Sequence, residues 1–375
     1  MSVKGVNKEN IRKYALNEFL TEYKILNADN KYRPVAVGRY GIRKRESIYS
    51  KELAKDYSKN KLIYKNTLTV GMGSKQIDIG ILTEDEVFAV SPAYHTYEIQ
   101  GIRCKYLEYC LRSKNIEMFS LYAKRGSRQG KSIDLKRWLT YKIPVYSEED
   151  QIVIEDNLNK INVVIELRRK QLELLDELVR ARFVEMFGDV QDAKKRGGQQ
   201  LKDICNTVAG GTPSTKHVEY YNGTIPWIST VSLGPNYIDG TTAKAFITQE
   251  AVDSSSTKII PSGSILFGTR VGVGKSSINQ VEMCTNQDIV AIIDLDVSKY
   301  NKLYIKYVLD TYQPYFDSIK KGATILGISS DDLKNIYVPD ASLYEQNRFE
   351  KFVKQIDKSR LLSNHSLFLL KSITF

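Results

Sequence analysis

A chain of 375 residues with 55 lysines and arginines against 44 acidic residues carries a net charge of +11 and a pI near 9.2. Hydrophobic residues at 42% and charged residues at 26% exclude a disordered chain and leave room for two cores, and no apolar run of about 18 residues offers a membrane span. The basic excess favours a polyanionic partner such as nucleic acid. Four cysteines (Cys104, Cys110, Cys205, Cys284) and three histidines (His95, His217, His365) lie without metal-ligand spacing. That argues against a structural zinc and for a reducing, cytoplasmic setting. No apolar run follows the N-terminal lysines, so no signal peptide is expected.

Residues 1–146 read as a first unit, in which short β-type runs such as K-L-I-Y at 61–64 and E-V-F-A-V at 86–90 alternate with glycine turns. A short helix is expected near 105–112, where L-E-Y-C-L carries an apolar stripe. Over 147–187 the pattern changes. Ile154, Leu158, Ile161, Ile165, Arg168, Leu172, Leu175 and Val179 recur at steps of four and three, the spacing of a coiled-coil seam with one charged member. A helix of about 40 residues would be roughly 60 Å long at ~1.5 Å per residue, and it needs a packing partner.

A break follows at Gly188 and opens a linker, 188–200, in which K-K-R-G-G-Q-Q (194–200) reads as exposed. A second unit, 201–341, again uses short strands and turns: G-G-T-P-S at 210–214, Y-N-G-T-I-P-W at 221–227 and S-I-L-F-G at 264–268. The last segment, 342–375, returns to a helical period with Phe349, Phe352, Val353, Ile356 and Leu361. Its apolar face is the natural mate of the central stripe, and antiparallel packing would set the two units at opposite ends of a shared rod.

The chain also repeats itself about 195 residues on. Pro144, Gln151 and Ile161 return as Pro339, Gln346 and Ile356, and V-G-M-G-S-K at 70–75 is echoed by V-G-V-G-K-S at 271–276. A tandem duplication explains the preserved order.

Read together, several motifs resemble the specificity subunit of type I restriction-modification systems. L-K-D-I-C (201–205) leads into G-G-T-P-S, then G-T-I-P-W-I (223–228), I-P-S-G-S-I-L-F-G-T-R (260–270) and C-T-N-Q-D-I (284–289). The unit closes with D-D-L-K-N-I-Y-V-P (331–339) and E-Q-N-R-F (345–349), and the central helix contributes E-D-Q-I-V-I (149–154) and L-E-L-L-D-E-L (172–178). The first unit lacks the G-x-T-P opening and the I-P-W turn, and V-F-A-V-S-P-A-Y (87–94) stands where the second has C-T-N-Q-D-I. The resemblance implies an α+β fold: two target recognition domains separated by long paired antiparallel helices, with an internal pseudo-two-fold repeat. It implies a non-catalytic reader of a bipartite, asymmetric target in double-stranded DNA. Two methyltransferase subunits, binding S-adenosylmethionine, would dock on the helices, and restriction/translocase subunits, using ATP and Mg2+, would complete the complex. No cofactor is expected on this chain itself.

Cations in turns, together with the amide of Gln129, are the candidate DNA contacts. In the first unit these are Arg39, Arg43, Lys44, Arg45, Lys75, Arg125, Arg128, Gln129 and Lys131; in the second, Arg270, Lys275, Lys320 and Lys321. G-S-R-Q-G-K at 126–131 is the most persuasive stretch, because glycine allows close backbone approach while Arg128 and Gln129 can reach base edges. The expected helix-packing set is Ile154, Leu158, Ile161, Ile165, Leu172, Leu175 and Val179 with Phe349, Phe352, Val353 and Ile356. G-T-R-V-G-V-G-K-S fails as a phosphate loop, since Thr269 takes the first glycine position, and reads as a strand–turn element. Trp138 and Trp227 read as core or turn anchors, and Asn286, Gln287 and Asp288 as a structural turn. No catalytic set, metal ligand cluster or amino-methyltransferase N/D-P-P-Y/F motif is present in the sequence. The competing readings are a metal-dependent endonuclease and a purely protein-binding helical scaffold.

Overall fold

The computed structural model describes residues 11–49, 56–125, 131–322 and 324–374. The chain divides into two compact units, Met1–Arg169 with Asn364–Phe375, and Lys170–Ser363. The division runs through both long helices, so each contributes one part to each unit.

The first unit begins with β1 (Arg12–Ala15) and β2 (Leu20–Tyr23), followed by a hairpin of β3 (Val35–Gly38) and β4 (Gly41–Lys44). Then come β5 (Lys61–Ile63), β6 (Thr67–Met72), β7 (Ile77–Leu82), β8 (Phe88–Val90) and β9 (His95–Ile99). Helices α1 (Cys104–Ser113) and α2 (Asn115–Tyr122) lead to β10 (Ala123–Arg125), β11 (Lys131–Ile133), α3 (Leu135–Trp138) and β12 (Lys142–Val145). The main antiparallel sheet has the order β2-β9-β6-β7. Residues Thr67 to Gly71 of β6 are all buried, as suits a strand covered on both faces. The expected runs at 61–64 and 86–90 are β5 and β8, which pair with each other. The apolar stripe of α1 (Tyr106, Leu107, Leu111) is buried, and its leucines join Leu68, Val70, Ile79, Tyr97 and Trp138 in one core.

From this unit leaves α4 (Glu148–Phe187), 40 residues long. The second unit continues with β13 (Gln199–Gln200), α5 (Leu201–Ile204), β14 (Asn206–Ala209), β15 (Ile225–Ile228), β16 (Tyr237–Ile238), β17 (Ala245–Ile247) and α6 (Gln249–Asp253). It proceeds through β18 (Ile265–Gly268), β19 (Ser276–Asn279), β20 (Cys284–Thr285), β21 (Ile289–Ile293), α7 (Lys302–Thr311) and α8 (Gln313–Ile319). It ends with α9 (Ser330–Lys334), β22 (Tyr337–Val338) and α10 (Leu343–Thr374). Its main sheet runs β14-β21-β18-β19-β16. The first four strands retrace the antiparallel path β2-β9-β6-β7, and both sheets are followed by two helices, a short helix, a proline-bearing segment and a long helix. The weak echo in sequence is therefore a repeat of topology. A three-stranded sheet, β17-β15-β20, is carried by the I-P-W-I strand and has its place in the second unit alone among the described residues.

The echo is strongest where each long helix starts. Ser147 and Ser342 cap the first turn, accepting from Asp150 N at 3.1 Å and Glu345 N at 3.3 Å. One turn on, Gln151 is 4% exposed and Gln346 fully buried. Gln151 donates to Tyr146 O (2.9 Å) and accepts from Arg103 N (3.1 Å). Gln346 donates to Ala341 O (2.9 Å) and Lys299 O (3.0 Å) and accepts from Asn301 N (2.8 Å). Arg103 and Asn301 are the residues just before α1 and α7. A further turn along, Glu155 accepts from Arg103 Nε (3.0 Å), Arg103 Nη2 (2.8 Å) and Tyr106 N (2.9 Å). Glu350 correspondingly accepts from Asn301 Nδ2 at 2.8 Å. Tyr106 and Tyr304 complete the pattern by donating to Pro144 O (2.7 Å) and Pro339 O (2.8 Å).

Within the second unit α4 and α10 pack antiparallel: Phe183 and Phe187 meet Phe349, while Asp176, earlier on α4, meets Arg360, later on α10. The seam positions Ile154, Leu158, Ile161, Arg168, Leu172 and Leu175 are half-buried, and Ile165 and Val179 buried. Phe349 and Val353 are buried and Phe352 and Ile356 half-buried. Two expectations need correction. Leu361 is 70% exposed; the inward positions there are Arg360 and Ser363, which face Asp176 and Gln171. The stretch 188–200 is also more than a linker. Val190 and Ala193 are buried, Arg196 ties down Phe187 O (2.7 Å) and Asp189 O (2.6 Å), and Gln199 and Gln200 pair with β22. Its polar composition hid two core side chains.

Candidate nucleic-acid interface

In the second unit β14 and β18 end where β21 begins, because Ala209 pairs with Val290 and Gly268 with Ile289. The segments beyond these ends are thereby gathered at one end of the sheet. Gly210 N donates to Ile289 O (2.9 Å), Thr269 N to Asp288 O (2.8 Å) and Ile328 N to Thr269 O (2.8 Å). G-G-T-P-S, C-T-N-Q-D, T-R-V-G-V-G-K and the 320–328 segment therefore form one surface. The glycines permit the closeness: a Cβ on Gly210 would lie 2.2 Å from Thr285 Oγ1 and from the Asn286 carbonyl. Trp227 is buried and anchors the opening turn by donating from Nε1 to Gly211 O at 3.0 Å. Trp138 is a fully buried core residue.

Arg270 stands on this surface with its side chain 58% exposed and Asp288 Oδ1 3.9 Å from Nη1. Gly327 packs against it, and a Cβ there would lie 2.9 Å from Arg270 Cγ. Lys275 and Lys321 are exposed, whereas Lys320 is engaged by Asp317. The amides of Val273, Gly274 and Lys275 donate to Arg270 O, Gly268 O and Gly272 O. They are spent inside the turn, which leaves no amide cradle there for a nucleotide phosphate. Asn286 closes the neighbouring turn, its N–H on Ile228 O and its carbonyl taking Ile289 N.

In the first unit the equivalent end of the sheet carries the β6–β7 turn, with Lys75 exposed, and the β3–β4 hairpin. Tyr40, at the hairpin tip, is 68% exposed, with the guanidinium carbons of Arg39 and Arg43 at 5.7 and 5.3 Å from its ring centroid. Lys44 lies over Phe88 and Arg45 over Tyr57. Among the described residues these four cations have rings and not carboxylates as their charged-group partners, which leaves their charge available to an anion. Tyr40 was not among the sequence candidates; its signal was the run R-Y-G-I-R, an aromatic residue between two arginines. Arg125 and Lys131 pair across β10 and β11. Arg128 and Gln129 lie outside the described residues.

A concavity of about 230 Å³ opens beside the hairpin, lined by Val37, Arg45, Tyr49, Gly71, Met72 and Tyr94 among others. Its wall depends on Gly71, where a Cβ would stand 2.2 Å from the Tyr94 ring, itself held by a 2.8 Å bond from its hydroxyl to Val37 O. Gly71→Ala is expected to destabilise the first unit by about 1–3 kcal/mol, read as a shift in denaturant midpoint. An unchanged midpoint would mean that the ring moves at no cost.

The remaining chemistry is quiet. Burial pushes the thiols of Cys110 and Cys284 up to about 11 and that of Cys205 to about 12, so they stay protonated and poorly nucleophilic. Among the described residues no three His, Cys, Asp or Glu side chains group as metal ligands, and no helix is long and apolar enough to cross a membrane.

The model of the type I restriction modification DNA specificity domain family matches residues 198–367. The specificity subunit of type I restriction enzyme MjaIX from Methanocaldococcus jannaschii is 34% identical over 162 residues, 42% of this chain and 37% of the relative. That of EcoR124I/EcoR124II from Escherichia coli is 32% identical over 174 residues, 44% of this chain and 41% of the relative. The chain thus spans about two fifths of the length of these curated relatives. A solved chain, described under complex assembly and conformational transition of the type I R-M system, covers 100% of this chain and 97% of its own. Its TM-score of 0.58 at 15% identity is a likeness of fold.

Proposed function

We propose that this chain, like the type I restriction modification DNA specificity domain family whose model matches residues 198–367, reads DNA sequence for such a complex and breaks no bond itself. The observation that carries this reading is the gathering of the family's own motifs with Arg270, Lys275 and Lys321 at one end of the second unit's sheet. That surface reads one half of an asymmetric duplex target. The first unit reads the other half with Arg39, Tyr40 and Arg43, on a hairpin the second unit does not share, and with Lys75 on the β6–β7 turn, so the two half-sites differ in sequence. Arginine forks suit the O6 and N7 acceptors of guanine in the major groove, and lysines suit phosphates. The long helices set the unread gap between the half-sites. Their outward apolar residues, Val163, Val164 and Leu167 on α4 and Leu361, Leu362 and Phe368 on α10, are exposed. These supply docking surface for two methyltransferase subunits, which bring S-adenosylmethionine; restriction subunits bring ATP and Mg2+.

Mapping methylated adenines in DNA from cells expressing this chain with its methyltransferase tests the reading. One bipartite motif is expected. Cleavage by the purified chain with Mg2+ alone would favour a nuclease, and absence of sequence-dependent DNA affinity would favour a scaffold. Arg270→Ala is expected to cost about 1–3 kcal/mol on the cognate second half-site, with little change on random duplex. An equal loss on both, in salt-matched binding titrations, would identify a phosphate contact instead.

A further inference from the structure

Resting on the DNA-reading function above, we propose that Gln151 and Gln346 are positioning residues that fix the angle between each reading head and its helix, and thereby the number of base pairs accepted between half-sites. Each amide is buried and bonded at both ends to main chain: backward to the segment entering the helix, and sideways to the N–H just before the head's own α1 or α7. One turn further, Glu155 and Glu350 hold the same residues, Arg103 and Asn301. Below, the Tyr106 and Tyr304 hydroxyls hold the carbonyls of Pro144 and Pro339. Three ties, one to the segment entering the helix and two a helical turn apart on it, resist bending as well as sliding, whereas a single cap would resist neither.

The lever is long enough for this to matter. A tilt of about 10° at the mount moves a contact roughly 20 Å away by about 3.5 Å, close to the ~3.4 Å rise of one base pair along a strand. A buried amide serves this purpose better than an apolar side chain, because its bonds have direction and packing alone does not. That the same geometry occurs in two heads whose reading turns differ shows the mount to be independent of what each head reads.

The test uses the chain assembled with its methyltransferase partner. Methylation is measured on duplexes that carry both mapped half-sites with the native gap, or with one base pair fewer or more. Gln151→Met and Gln346→Met are expected to lower the preference for the native gap by about tenfold while leaving the half-site bases unchanged. A preference unchanged in folded variants, or a loss equal at all three gaps, overturns the proposal and leaves the amides a purely structural role. Should a methionine variant melt below the assay temperature, Gln346→Glu is read in its place. It keeps the bond accepted from Asn301 N and loses the donated pair, and an unchanged gap preference there overturns the proposal equally. If the wild-type complex methylates no bipartite site, the DNA-reading function itself fails and takes the proposal with it. That outcome is distinct from a normal wild type with indifferent variants.

Discussion

Phe349→Ala is expected to lower the stability of the second unit by about 3–5 kcal/mol, the largest effect of any single substitution considered. Phe349 is fully buried, with ring centroids of Tyr307, Phe183 and Phe187 at 5.2, 5.4 and 5.7 Å in edge-on arrangements. Phe183 also stacks on Tyr304 at 5.8 Å. The five rings belong to α4, α7 and α10, so the substitution opens a void where three helices meet and removes edge-to-face contacts as well as buried area. A fall of roughly 10 °C in the thermal midpoint is expected for a unit of this size. A fall of less than about 2 °C would show that the neighbouring rings collapse into the space.

Replacing Leu172 and Leu175 together with glutamate is expected to part α4 from α10 and, under the proposed function, to abolish recruitment of a methyltransferase partner. Both leucines are half-buried between Gln171 and Asp176, which face Ser363 and Arg360 on α10. Two carboxylates there lose apolar burial and sit beside Asp176, so a cost of a few kcal/mol is expected. Size-exclusion chromatography and pull-down check it. An unaltered elution volume with retained methyltransferase would remove this seam from the assembly.

The repeat was legible in sequence because the residues that echo are those with backbone-directed tasks. Gln151 and Gln346 bond to main-chain atoms, and Pro144 and Pro339 offer carbonyls, so their surroundings were free to change while they were not. The helical seam was legible because burial follows the same 3–4 spacing that defines it. Where sequence reasoning slipped, a local pattern outran the packing. Leu361 continued an apolar habit, but the inward register passes through Arg360 and Ser363. K-K-R-G-G-Q-Q is largely exposed, but the linker ahead of it holds Val190 and Ala193, buried and outnumbered by polar neighbours. The β3–β4 hairpin of the first unit and the three-stranded sheet of the second depend on pairings between distant segments, such as Trp227 with Cys284, that carry no local signature. Of the candidate cations, those in the second unit stood inside recognised motifs. The first unit's Tyr40 did not, since its meaning depends on two arginines meeting over its ring.

The helix mounts have a consequence for transplanting one head into the other's place. The glutamine bond would survive such a graft, because it addresses a peptide N–H and not a particular side chain. The next tie would not: a second head placed on the first helix would present Asn301 to Glu155, which otherwise accepts two hydrogen bonds from the Arg103 guanidinium. A chimera built with its junction just before residue 103, keeping the arginine with its glutamate, should therefore assemble more firmly than one cut just after it. The seam for exchanging parts is written in the side chains of the helix mounts and not in the surfaces proposed to meet DNA.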